Sequence, residues 1–130
     1  MLRIVLVLVL GAHGIGHLIG VAGGWFDSAW GGSSTSWLLT PVMGRATSVL
    51  EGALWLPPGV GFVLAAGLIV GNSELWRPVA LASAAASLLV IALFPEQLPL
   101  GSTAGAVVVD VVVIVGLLLF SWPAPDTLGA

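Results

Sequence analysis

The chain has 130 residues, 58% of them hydrophobic and only 7% charged, with a net charge of −3. Its only basic residues are Arg3, Arg45 and Arg77, too few for a soluble surface, which takes roughly 25% charged residues, or for a nucleic-acid-binding patch. It has no cysteine, which excludes disulfides, thiolate metal sites and cysteine-held iron–sulfur clusters.

A bilayer core needs about 20 residues of apolar helix to cross it, and four segments meet that need: 2–22, 47–70, 75–94 and 104–122. None shows strict alternation of apolar and polar residues, so helices are expected rather than barrel strands. The expectation is an all-α, multi-pass membrane four-helix bundle. It forms one domain over 1–122 with a fraying tail at 123–130.

The first segment begins Met1-Leu2-Arg3 and passes Gly20-Val21-Ala22. That pattern also suits a signal peptide with a small-residue cleavage site; here it is read as a retained span. Residues 23–40 hold Trp25, Phe26, Trp30 and Trp37 among glycine and serine, as in a segment lying at the membrane interface. Thr40-Pro41 reads as an N-cap followed by proline at the first helical position, so the second helix is expected to start near there. Pro57-Pro58 should free the carbonyls of Ala53 and Leu54 and kink that helix. Gly71-Asn72-Ser73-Glu74 reads as a tight turn, Trp76 and Trp122 as markers of the opposite interface, and Glu96, Gln97 and Asp126 as solvated residues. Arg3 and Arg77 against Arg45 favour cytoplasmic termini in a cell membrane, with 23–40 facing outward.

The sharpest signal is "LGAHGIGHLIG", which holds both histidines of the chain, His13 and His17. Glu51 and Asp110 are acids within predicted spans. Ionisable groups at the bilayer centre cost about 2.5–3.5 kcal/mol each, so they face the bundle interior and find partners. Measured from the end carrying 23–40, at about 1.5 Å per helical residue, His17 and Glu51 fall about 6–9 Å deep and His13 and Asp110 about 9–14 Å. At helical spacing His13 and His17 share a face with Gly16 and Gly20, a G-x-x-x-G spacing that admits a neighbouring backbone. Glu51 shares its face with Thr47, Ser48 and Trp55, and Asp110 shares its own with Thr103 and Ala106.

Two histidines at i and i+4 can ligate one metal ion. With Glu51 and Asp110 they make a two-His, two-carboxylate set suited to Zn²⁺, Mn²⁺ or Fe²⁺. The same groups also suit a proton relay, or merely hydrogen bonds that lock helices in an accessory subunit of a larger complex or in a homo-oligomer. Haem or chlorophyll ligation is a further reading, but histidines on one helix cannot clamp one haem from both faces. Trp55, within a span beside Glu51, is a candidate pocket-lining residue.

"LGAHGIGHLIGVAGGW", "VLEGALWLPPGVGFVLAAGLIV" and "PLGSTAGAVVVDVVVIVGLLL" together resemble a family of small prokaryotic membrane proteins whose first helix carries H-G-x-x-H-x-x-G. The resemblance rests on His13, Gly14, His17, Gly20, Gly52, Trp55 and Asp110. Its overall architecture is similar to the DoxX-like four-helix group. It implies fold and membrane location, and no activity.

Overall fold

The structure is a computed structural model that describes residues 1–26 and 33–128. Trp30 lies outside the described residues. Among them the chain is all-α: α1 (Leu2–Phe26), α2 (Thr40–Met43), α3 (Ala46–Val70), α4 (Trp76–Leu93) and α5 (Leu100–Leu119), followed by a 3₁₀ turn at Pro125–Leu128. The helices α1, α3, α4 and α5 are each long and apolar enough to cross a membrane. That makes the chain a multi-pass membrane protein of the four-helix-bundle type.

The helix ends depart from the sequence reading in ways that matter for the site. α1 runs four residues past Ala22, to Phe26, and α5 starts at Leu100, before the expected 104. Thr40-Pro41 does not open α3. It opens the single turn α2, with Pro41 in its first turn. Gly44, at φ +55°, then breaks the chain direction before α3 begins; only glycine takes that conformation without strain. The capping role falls to Ser36, whose Oγ accepts from the Leu39 N–H at 3.2 Å. Pro57 and Pro58 lie inside α3 and do not end it.

α3 is the central helix. It packs on α1 along its length and on α4 on another side, while α5 leans on α4. Close packing of α1 on α3 depends on glycine. A Cβ on Gly14 would come within 2.7 Å of the Gly59 carbonyl, and one on Gly20 within 2.6 Å of the Trp55 ring. Gly16, expected on that face, looks instead into open space. The reason is angular: Gly14, His17 and Val21 follow the buried stripe of α1, and Gly16 falls beside it.

One end of the bundle carries residues 33–45 and the 94–99 connection; it is called the loop end here. The other carries Met1, the 71–75 turn and the tail, and is called the termini end. Arg3 donates to the carbonyls of Ile69 and Val70 at 2.8 and 2.6 Å, satisfying the last carbonyls of α3. Asn72 takes a positive φ of 57° in the expected tight turn. Trp76 does not mark an interface. It is 4% exposed and packs inward with Leu10, Phe62 and Ile69, while the Arg77 guanidinium lies 5.1 Å from its ring. Nor is the whole tail loose, since Leu128 joins the same cluster and Arg77 donates to the Pro123 carbonyl. An apolar side chain at the tail's end thus gains a place in the core. Trp25 and Trp37 are exposed on the loop end, yet each indole N–H is used, on the Val49 and Ala92 carbonyls.

Candidate metal or proton site

The first histidine is set by α1. His13 Nε2–H donates to Asp110 Oδ1 on α5 at 2.9 Å. One turn along α1, His17 Nε2 stands 3.2 Å from His13 Nε2. The hydroxyl of Ser87 on α4 closes the group. It lies 2.9 Å from His17 Nε2 and donates to Asp110 Oδ2 at 2.5 Å. Three spanning helices thus contribute to one polar knot, and Asp110, His17 and Ser87 are buried. Offering one atom each, His13, His17 and Asp110 bring their ligand atoms within 4.8 Å of one another.

The fourth helix supplies the walls. Phe62 on α3 meets His13 edge-on at 4.6 Å and stacks along His17 at 5.9 Å. Trp55 lies against the His17 ring at 5.1 Å and is fully buried. Trp55, read from the sequence as a candidate pocket-lining residue beside Glu51, thus packs on the His17 ring. Gly20 makes room for its ring, since any side chain there would collide with the indole.

Glu51 is not in the trio that His13, His17 and Asp110 form. The packing of α1 on α3 explains its place. Gly24 lies against Gly52 and Gly20 against the Trp55 ring, so Glu51 stands beside the last turns of α1, nearer the loop end than His17 and one turn above Trp55. It is fully buried; among the described residues neither carboxylate oxygen has a well-formed hydrogen bond, and Ser34 and Trp55 face it.

Ser87 escaped the sequence reading. The signal was there: Ser83 and Ser87 stand four apart in the alanine-rich run of α4, on its buried face, and Ser87 lies about 9 Å below the loop-end terminus of α4. Serine is too common a helix-packing residue for that spacing to identify it alone. Gln97 was expected in solvent and is instead fully buried, because the 94–99 connection folds over the bundle end. There the Glu96 carbonyl accepts from the Ser33 N–H at 3.2 Å.

Proton counting shows what the knot lacks. Ser87 has one proton and gives it to Asp110, so its oxygen accepts from His17 Nε2–H. His13 Nε2–H is engaged by Asp110. Two N–H groups then face each other at 3.2 Å, where no hydrogen bond forms. Moving the His17 proton to Nδ1 removes that conflict but leaves a buried donor without a partner, at a cost of about 1–3 kcal/mol. No family model matches the chain, and neither a curated protein nor a solved structure matches it.

Proposed function

We propose that His13, His17 and Asp110 hold a divalent transition-metal ion within the bilayer. The observation that carries this reading is the convergence of two imidazole Nε2 atoms and a carboxylate oxygen, His13 standing 2.9 Å from Asp110 and 3.2 Å from His17, with all three ligand atoms within 4.8 Å of one another. In a tetrahedral site with metal–ligand distances of about 2.0–2.1 Å, neighbouring ligand atoms stand about 3.3 Å apart. A cation between the two Nε2 lone pairs also removes the N–H to N–H conflict, with the His17 proton on Nδ1, and its attraction offsets the cost of that unpartnered donor. The donor set, nitrogen and oxygen without sulfur, suits Zn²⁺ first and Mn²⁺ or Fe²⁺ next. Ser87 is then the residue that orients Asp110 from outside the ligand shell, and three protein ligands leave one position open to a small molecule. Porphyrin ligation has less support, because Phe62 and Trp55 already pack on the imidazoles.

The test is X-ray absorption at the edge of whatever metal co-purifies in detergent without chelator or metal-affinity column. A nitrogen and oxygen shell at about 2.0–2.1 Å with no sulfur is expected; protein free of metal after incubation with zinc contradicts the reading.

One observation favours a second reading: His13, Asp110, Ser87 and His17 form an unbroken hydrogen-bonded chain through three helices. In that reading the chain carries protons. Proton flux into liposomes that persists in metal-free protein would support it over metal binding. We also place the protein in the cell membrane with both termini cytoplasmic, on the strength of Arg3 and Arg77 at the termini end against Arg45 at the loop end.

A further inference from the structure

The buried polar atoms left without partners among the described residues are His17 Nδ1, Trp55 Nε1, both carboxylate oxygens of Glu51, Thr47 Oγ1 and the side-chain amide of Gln97. Their positions are not scattered. Thr47, Glu51 and Trp55 follow one face of α3 at four-residue intervals, from its first turn down to the ring that covers His17. Gln97 belongs to the connection folded over the same end. The Ser34 hydroxyl, from the loop, and the Trp55 indole N–H face the Glu51 carboxylate, short of well-formed hydrogen bonds.

The other half of the bundle is built differently. Between the trio and the termini end the core is Leu10, Phe62, Ala65, Ala66, Ile69 and Ala80. Ser83, the polar side chain buried there, gives its proton to the Val79 carbonyl at 2.8 Å. A cation crossing that half would meet no buried carboxylate and, of buried side-chain oxygens among the described residues, only Ser83 Oγ. On the loop side, side-chain oxygens stand without partners among the described residues, on Thr47, Glu51 and Gln97. A fully buried carboxylate whose oxygens make no well-formed hydrogen bond among the described residues is costly unless a cation or proton visits it.

We infer that Glu51 is the loading residue of a one-sided route, by which a divalent cation reaches the His13–His17–Asp110 trio from the loop end only. This rests on the metal reading above. Glu51 strips and passes the ion, with the Thr47 and Ser34 hydroxyl oxygens before it, and it is not a ligand in the loaded state. The ion it accepts is the one the trio keeps, so its effect is on rates.

The experiment uses the full chain in proteoliposomes and zinc as the probe, with uptake followed by a zinc-sensitive dye and stopped flow. The Glu51→Gln variant should load and release zinc about tenfold more slowly, the scale on which a single-sign cleft raises association rates, with unchanged stoichiometry and Kd. Thr47→Val, a milder change, should slow both rates in the same direction and guards against a folding defect in the first variant. Zinc offered at the loop end should load, and zinc offered only at the termini end should not. Unchanged rates in both variants, or loading from the termini end, overturn the route. A loss of equilibrium affinity in Glu51→Gln makes Glu51 a ligand and overturns it too. If wild-type protein takes up no zinc at all, the metal reading falls and the route with it, a result distinct from wild-type loading with indifferent variants.

Discussion

Asp110 joins the three-helix knot with both oxygens: Oδ1 takes the His13 N–H and Oδ2 takes the Ser87 hydroxyl. Asp110→Asn keeps the shape but swaps one acceptor for a donor and removes the charge that balances an ion. It should abolish stoichiometric metal binding while leaving the helical circular dichroism intact. Ser87→Ala should be milder, weakening metal affinity by about 10- to 100-fold, the usual range for partners that only orient a ligand; competition with a chelator of known affinity measures it. At this scale the sequence was informative where chemistry is rare. Two histidines and an acid in apolar helices stand out on any reading, and they do meet. Ser87 does not stand out, because a hydroxyl in a membrane helix costs little to bury and is often used on its own backbone, as Ser83 is.

Helix faces and helix ends decide the rest. Gly14 and Gly16 differ by two positions, yet only Gly14 lies against α3, with its missing Cβ replaced by the Gly59 carbonyl and Val63. Gly14→Ala should therefore lower the thermal midpoint in detergent, at a cost of about 1–3 kcal/mol for overpacking. Gly16→Ala has open space and should be neutral or stabilising by up to about 1 kcal/mol, the helix gain of alanine over glycine. Equal effects of the two substitutions would contradict the packing. The apolar content of the spans was legible because a bilayer leaves few other solutions. Their ends were not: Gly23, Gly24 and Trp25 read as loop by composition, and yet α1 continues through them, since the Gly24–Gly52 contact lets α1 hold on to α3. With Gly24 against Gly52, Glu51, expected level with His17, stands nearer the loop end than it.

For the whole molecule, four crossings put the 33–45 segment and the 94–99 connection on one side and both termini on the other. The chain has no cysteine, so single substitutions give unique thiols for a membrane-impermeant maleimide. Thr35→Cys and Ser102→Cys, both at exposed positions, should label together from one side, and Asn72→Cys from the other. Cytoplasmic termini add that Asn72→Cys is protected in intact cells; labelling of Thr35→Cys and Asn72→Cys from the same side would undo the four-crossing topology itself. The polarity of the interior matches this division, apolar from the trio to the termini end and studded with unpartnered polar atoms toward the loop end. The trio's affinity for an ion is read off from the metal content of the purified chain, counted by mass spectrometry. Wild type is predicted to retain one divalent ion per chain through size exclusion, and His13→Ala with His17→Ala, or Asp110→Asn, to retain none. Metal-free wild type, or variants that keep the ion, would contradict it.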